Sequence, residues 1–147
     1  MDRLIEYAGH HPWLATAAVV MAVIVLVVEL RARQESYAAV SPQDAIRLMN
    51  QGALLLDLRK PEDFDAAHIN GARRIDSAEI LKAGETLRKH KEKPVVVYCE
   101  SGSLGASAAR ILASQGFTRA LNLRGGIAGW RAENLPLTRA AARGKPA

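Results

Sequence analysis

The feature that most constrains this chain is an uncharged run near its amino end. From Ala8 to Val28 there is no Asp, Glu, Lys or Arg, and nine of these residues are Leu, Ile or Val. As a helix the run would be about 31 Å long at about 1.5 Å per residue, which is enough to cross the hydrocarbon core of a membrane. The nine aliphatic residues favour insertion by about 3 to 5 kcal/mol. The run therefore predicts one transmembrane helix, with Trp13 as an interfacial aromatic residue.

Two other interpretations of the run fit the sequence less well. A cleavable signal peptide needs a basic start, a shorter apolar stretch and a small-residue cleavage site, but the run is followed by Glu29-Leu30-Arg31-Ala32-Arg33. A buried core helix would carry a polar face, which this run lacks. Arg31 and Arg33 follow the run closely, whereas only Arg3 precedes it. This bias predicts a single pass through the inner membrane of a cell, with the C-terminal domain in the cytoplasm.

The remaining length leaves room for one domain of ordinary size. The chain has 147 residues, and we expect an anchor with its flanks at 1–33, an α/β domain at 34–138 and a flexible tail at 139–147. The net charge is +5, but the basic residues are scattered and aromatic residues make up only 5%. A nucleic-acid partner is not expected from this pattern. The positive charge instead suits a domain beside an anionic lipid bilayer.

The single cysteine, Cys99, limits the chemistry of the chain. An internal disulfide is impossible, which fits a reducing compartment, and a dithiol mechanism with a second cysteine of this chain is excluded. No pair of histidines has metal-ligand spacing next to Cys99 or to a carboxylate cluster. We therefore expect neither a metal nor a cofactor.

Strands and helices alternate along the soluble part. Ser41-Pro42 is typical of a helix start, with Ser41 as the N-cap. Short apolar runs predict buried strands at 53–57, 95–98 and 120–123, with a shorter strand near 73–75. Helical segments separate these runs, including one that begins after Ser103 and ends at Gly116. The pattern predicts a parallel sheet flanked by helices on both faces.

The topology of such a sheet brings distant residues together. Ligands and reacting groups in open parallel sheets lie beyond the carboxyl ends of the strands. Asp57 and Arg59 end one predicted strand, Cys99 ends a second, and Arg124 ends a third. We therefore expect these four side chains at one edge of the sheet.

Cys99 lies where a thiolate would be stabilised. It stands between a strand end and a helix start, so backbone N–H groups of residues 100–104 can point towards its sulfur. The amino end of the helix adds positive potential there. The same amides would hold a persulfide anion. The alternative is a small buried residue that merely ends a strand.

Four segments, in this order, resemble the conserved motifs of the rhodanese family, which moves sulfane sulfur through a cysteine persulfide. They are residues 57–64 (DLRKPEDF), 67–72 (AHINGA), 97–103 (VYCESGS) and 123–130 (LRGGIAGW). The resemblance covers about residues 36–137. With its anchor and small size, the chain is similar to the single-domain, membrane-anchored rhodaneses of bacteria. The fold implied is a rhodanese-like parallel sheet flanked by helices.

The resemblance assigns a role to each candidate site residue. Cys99 would be the nucleophile. Asp57 and Arg59 would orient the loops around the site, and His68 would be a structural histidine in a turn rather than an acid or base. The partners implied are a sulfane-sulfur donor and a thiol acceptor. The residues expected to contact substrate are Glu100, Ser101, Gly102, Ser103, Leu104 and Arg124.

The active loop departs from the family pattern. Active rhodaneses usually carry an arginine five residues after the cysteine, where this chain has Leu104, and Glu100 adds an anion next to Cys99. Thiosulfate is a dianion, so we expect it to be a poor donor. Leu104 also fits the apolar spacing of its helix, which allows a packing role in the core. A cysteine phosphatase would need an arginine at position 105, which is a glycine.

Two functions from different classes remain open. The first is a membrane-anchored sulfurtransferase that uses Cys99. The second is a catalytically weak or inactive rhodanese module that binds a protein partner at the membrane. The presence of Cys99 favours the first, whereas Leu104 and Glu100 favour the second.

Overall fold

The computed structural model describes residues 11–35 and 38–140. These residues belong to two compact units, 1–33 and 34–147, each of which is considered by itself. The start of the uncharged run at 8–10 and the end of the predicted tail at 141–147 lie outside the described residues.

The described part of the first unit belongs almost entirely to one apolar helix, α1, which runs over Pro12–Glu35. Its segment Pro12–Arg33 is long and apolar enough to cross a membrane, by length and composition. No side chain between residues 12 and 33 is buried. The helix continues two residues past the predicted end of the anchor at 33.

The second unit is built on a five-stranded parallel sheet. Its strands are β1 (Ala39–Val40), β2 (Leu54–Asp57), β3 (Arg73–Arg74), β4 (Val95–Tyr98) and β5 (Ala120–Leu123). Their spatial order is β1-β5-β4-β2-β3, and every neighbouring pair is parallel. The register places Asp57 opposite Tyr98 at the carboxyl ends of β2 and β4.

Helical segments connect the strands. They are α2 (Pro42–Asn50), α3 (Pro61–Ala66), α4 (Ser77–Ile80), α5 (Ala83–Thr86), a 3₁₀ turn (Arg88–His90), α6 (Ser103–Ser114) and α7 (Gly126–Ala132). Ser41 caps α2 as predicted, because its hydroxyl accepts a hydrogen bond from the Asp44 N–H at 3.2 Å.

The core has two layers, one on each face of the sheet. On one face α4, α5 and α6 pack against residues such as Leu56 and Val97. On the other face α2 and α7 pack against Leu55, Val96 and Tyr98. β2 and β4 are buried at every position, because both of their faces are covered. The predicted parallel sheet with helices on both faces is confirmed.

Two local predictions need correction. The two-residue strand β1 was not expected, because it is too short to leave an apolar run in the sequence and exists through its pairing with β5. Leu104 does not pack in the core: its side chain is 56% exposed in the first turn of α6. The core face of α6 consists instead of Ala108, Ala109 and Leu112.

Candidate active site

Cys99 directly follows β4 and is 3% exposed. Its Sγ accepts a hydrogen bond of 3.0 Å from the Gly102 N–H. Among the described residues this is the single amide of the segment 100–104 that bonds to the sulfur. Gly102 has φ of +101°, a conformation that favours glycine. The glycine therefore lets the chain turn back so that its N–H points at Sγ.

Two backbone hydrogen bonds from the first turn of helix α7 fix the cysteine loop, residues 99–103. The N–H of Ile127 donates to the Cys99 carbonyl at 3.0 Å, and the N–H of Ala128 donates to the Glu100 carbonyl at 3.1 Å. These N–H groups have no partner within the first turn of a helix, so the loop carbonyls satisfy them. The motif at 123–130, which includes the start of α7, thus positions the loop that contains the motif at 97–103.

Gly126 permits this close approach. Its φ is +57°, and a Cβ at this position would lie 2.7 Å from the Glu100 carbonyl oxygen and closer still to that of Cys99. A side chain there would push the loop away from α7. Gly126 is therefore required by both its backbone conformation and the space available.

A buried ion pair lies beside the cysteine loop. The Asp57 carboxylate accepts hydrogen bonds from the backbone N–H, Nε and Nη2 of Arg59, the last at 2.8 Å. Arg59 Nη2 also donates to the Ala67 carbonyl. Burial by itself lowers the pKa of Arg59, but the hydrogen bond and charge of Asp57 outweigh it and raise the pKa above its ordinary value. The pair fixes the loop after β2 against the segment that contains His68.

Tyr98 completes this buried layer under the loop. Its hydroxyl accepts a hydrogen bond of 3.2 Å from the Ile69 N–H, and the Arg59 guanidinium lies 5.9 Å from the centroid of its ring. Burial and the neighbouring Asp57 raise the pKa of Tyr98 far above its ordinary value. Tyr98 is therefore a neutral positioning group at physiological pH.

Glu100 projects from the loop and contacts two arginines. Its Oε1 accepts a hydrogen bond of 3.0 Å from Arg131 Nη1, and its Oε2 lies 3.7 Å from Arg59 Nη1. The Glu100 side chain is 59% exposed and that of Arg131 45%, whereas Arg59 is buried. The anion next to the cysteine, expected from the sequence, is thus paired with positive charge on both sides.

His68 is held in a turn by its backbone and its ring. Its N–H donates to the Thr138 carbonyl at 2.8 Å, and its carbonyl accepts from the Thr138 N–H at 2.7 Å. Nδ1 lies 2.8 Å from the Phe64 carbonyl oxygen, which can only accept, so Nδ1 carries the hydrogen. The ring stacks on that of Phe64, and the two ring centroids are 3.9 Å apart. Every one of these contacts orders the turn.

The other predicted site residues lie at the surface of the same edge. Ser101, Ser103 and Leu104 are exposed in the loop and the first turn of α6, and the two serine hydroxyls are 3.3 Å apart. Arg124 is exposed after β5 and makes no ion pair within residues 11–35 and 38–140. Over those same ranges, no group of three His, Cys, Asp or Glu side chains could hold a metal ion.

Two residues of the site were not expected from the sequence. The apolar run predicts Tyr98 only as part of a strand, although its position before Cys99 places it at the strand end. The sequence does not indicate Arg131, because helical spacing carries no information on which loop a helix contacts. Arg131 follows Ile127 and Ala128 by about one turn, and helical side chains tilt toward the amino end of their helix, where those two residues bind the loop.

Comparison with known proteins agrees with this architecture. Residues 41–133 match the family model of the rhodanese-like domain. The chain is 37% identical over 142 residues to the protein YibN of Escherichia coli K12, covering 95% of this chain and 99% of that protein. It is 35% identical over 96 residues to the thiosulfate sulfurtransferase GlpE of Ectopseudomonas mendocina, covering 65% of this chain and 86% of the relative.

A solved structure has the same fold. The human single-domain sulfurtransferase TSTD1 superposes with a TM-score of 0.58 at 28% identity, covering 65% of this chain and 96% of the human one. The matched domain, the identity over nearly the whole length and the parallel sheet with its four motifs lead to one conclusion: this chain belongs to the rhodanese-like family.

Proposed function

We propose that this chain is a membrane-anchored sulfurtransferase that carries sulfane sulfur as a persulfide on Cys99. The observation that carries the proposal is the hydrogen bond from the Gly102 N–H to Cys99 Sγ, in a loop that α7 holds in place. An N–H aimed at Sγ stabilises the thiolate, which is the form of Cys99 that attacks a sulfur donor. The names of the relatives GlpE and TSTD1 agree with this chemistry.

The proposed reaction has two steps, and each conserves atoms and charge. The Cys99 thiolate attacks the sulfane sulfur of a donor, so that an S–S bond to Cys99 forms while the donor's own bond to that sulfur breaks. From thiosulfate the leaving group is sulfite, and from a persulfide it is a thiolate. An acceptor thiolate then attacks the outer sulfur and leaves with it, which returns Cys99 to the thiolate.

A low-charge persulfide is a better donor than thiosulfate for this site. The loop presents Leu104 where a cation is usual in the family, and Arg59 and Arg131 are both engaged by Glu100. A dianion therefore meets less unpaired positive charge at the mouth of the site. Arg124, which has no ion pair among the described residues, is the cation that we expect to compensate in part.

The first experiment looks for the intermediate directly. The full chain in detergent micelles is incubated with thiosulfate and, separately, with a low-molecular-weight persulfide, and intact mass is measured. We expect a gain of one sulfur atom, faster with the persulfide, that disappears on addition of cyanide or a thiol. Cys99→Ser is the control and should gain nothing. No adduct from either donor, on folded protein with a free thiol, would contradict the proposal.

The contribution of Leu104 has a matched control. Leu104→Arg should raise the rate of sulfur transfer from thiosulfate, because it restores a cation in the first turn of α6. Leu81 is a second exposed leucine, 65% exposed against 56% for Leu104, and it lies near α4 and α5 in a segment away from the loop. Leu81→Arg should leave the rate unchanged. Equal rates for the two variants would remove the role assigned to Leu104.

The competing function is a rhodanese module that binds a protein partner at the membrane. Two observations favour it: Cys99 is 3% exposed, and an exposed leucine lies at the mouth of the site. Cellular complementation separates the two functions. If Cys99→Ser restores the phenotype of a deletion strain as well as the natural chain does, binding rather than sulfur transfer is the function.

Membrane anchoring is a separate part of the proposal. The length and composition of Pro12–Arg33 support it, and the positive charge that follows the apolar run supports a cytoplasmic C-terminal domain. The full chain should appear in the membrane fraction of cells and resist extraction by high salt. A chain lacking residues 1–33 should be recovered in the soluble fraction. Because Cys99 is 3% exposed, orientation is tested by comparing two samples: a membrane-impermeant maleimide should label Cys99 in permeabilised cells and leave it unlabelled in intact cells if the domain faces the cytoplasm.

A further inference from the structure

Arg131 forms an ion pair with Glu100, the residue that directly follows Cys99. The Glu100 carboxylate bridges Arg131, at 3.0 Å, and Arg59, at 3.7 Å. The two arginines differ in what else binds them. Arg59 is buried and also paired with Asp57, whereas Arg131 is half exposed and, among the described residues, has Glu100 as its one ion-pair partner. The charge of Arg131 is therefore neutralised by a side chain that can turn away into solvent.

The backbone fixes the position of Arg131 relative to the cysteine. Ile127 and Ala128 donate to the carbonyls of Cys99 and Glu100, and Arg131 follows them by four and three residues in the same helix. Side chains of a helix tilt toward its amino end. The Arg131 side chain therefore begins one turn after the bonds that anchor the cysteine loop and reaches back to Glu100.

Resting on the proposed sulfur transfer, we propose that Arg131 is the anion-binding residue of the site and that Glu100 is its internal competitor. An anionic donor or acceptor binds to the Arg131 guanidinium when the Glu100 carboxylate swings out. Arg59 remains in place because Asp57 holds it. Molecules with little negative charge react without this exchange.

This exchange makes the site discriminate between anionic and uncharged reactants. A carboxylate or sulfonate must displace Glu100 before it gains the bond to Arg131, so the site penalises anions without excluding them. An uncharged reactant of the same shape has no such competition. The two side chains therefore set a ratio of reactivity between anionic and neutral molecules, and that ratio can be measured at the sulfur atom itself.

The test uses the full chain in detergent micelles and two small alkylating reagents. Cys99 is the single cysteine, so each reagent reports on one sulfur, and intact mass gives the second-order rate constant. Iodoacetate is an anion and iodoacetamide is its neutral counterpart, so their rate ratio cancels differences in thiolate fraction and access. Alkylation needs no sulfur transfer. The test thus stays decisive even if Cys99 forms no persulfide.

Glu100→Gln should raise the iodoacetate-to-iodoacetamide ratio about 1.5-fold to 5-fold, the range typical of one exposed ion pair. Adding Arg131→Gln should abolish that gain, and adding Arg131→Lys in its place should retain most of it. Arg131→Gln alone should lower the ratio by a smaller factor than it does in the Glu100→Gln background. Raised salt should reduce the gain.

Glu85→Gln is the matched control for general charge. Glu85 is exposed on α5, on the face of the sheet opposite to α7 and Arg131, and its neutralisation should leave the ratio unchanged. The proposal is overturned if Glu100→Gln leaves the ratio at its natural value. It is also overturned if Arg131→Gln changes the ratio by the same factor with and without Glu100, because independent charges rather than competition would then explain the result.

Discussion

Replacement of Gly126 by alanine tests how the cysteine loop is held. The residue has φ of +57°, and an added Cβ would meet the carbonyl oxygens of Cys99 and Glu100, 2.7 Å away in the second case. These are the carbonyls that accept hydrogen bonds from Ile127 and Ala128. The new methyl group therefore forces apart the two segments that these bonds join.

The magnitude follows from two contributions. A residue with a side chain in the left-handed region costs about 1 to 2 kcal/mol. Two lost backbone hydrogen bonds cost about 0.5 to 1.5 kcal/mol each. We expect Gly126→Ala to lower the free energy of unfolding by about 2 to 5 kcal/mol.

Gly52→Ala separates the two contributions. Gly52 also has positive φ, +89°, but its Cβ would meet nothing within 4 Å. This variant should lose only the backbone contribution of about 1 to 2 kcal/mol. The difference between the two variants therefore measures what the contact between α7 and the cysteine loop contributes.

The assay is urea unfolding of residues 34–147, a compact unit that contains both core layers. Trp130, 3% exposed, is its one tryptophan and reports unfolding by fluorescence. In the same variant the rate of Cys99 alkylation should change, because the loop that carries Sγ has moved. Equal loss of stability in Gly126→Ala and Gly52→Ala would refute the crowding at Gly126.

Three further predictions use the same unfolding assay. Arg59→Met should cost about 3 to 5 kcal/mol because it leaves the Asp57 carboxylate buried without its cation, whereas Arg47→Met, which breaks an exposed pair, should cost less than about 1 kcal/mol. Ser41→Ala should cost about 1 kcal/mol through loss of the cap on α2. Burial, then the charges of nearby Lys and Arg residues, lower the pKa of His90. The unfolded chain then binds the proton more tightly, so stability should fall as the pH drops below about 6.5, and His90→Gln should reduce that loss.

The central strands could be predicted because their signal is local. Continuous apolar runs over β2 and β4 reflect burial on both faces, which is what a covered parallel sheet imposes on the sequence. β1 left no such signal, since two residues become a strand only when β5 supplies their partners. The cap at Ser41 was predictable for the same reason as the central strands, because it depends on residues three apart.

The site was predictable where strand ends determine it and unpredictable where side chains meet across elements. Asp57, Arg59 and Cys99 share one edge because parallel strands end together. Helical spacing placed Leu104 on an apolar face, but the first turn of α6 leaves its side chain exposed. Spacing describes which residues share a face and carries no information on how far the sheet extends beneath that face.

The sequence by itself determined that an apolar segment long enough for a membrane precedes a parallel α/β domain, and that Cys99 lies at a strand end between a β-strand and a helix. These conclusions follow from periodicity and composition, which act over a few residues. Only the tertiary structure decided that α7 holds the cysteine loop and that Glu100 lies between Arg59 and Arg131. Such contacts join residues that are far apart in the chain, and the packing of the sheet alone brings them together.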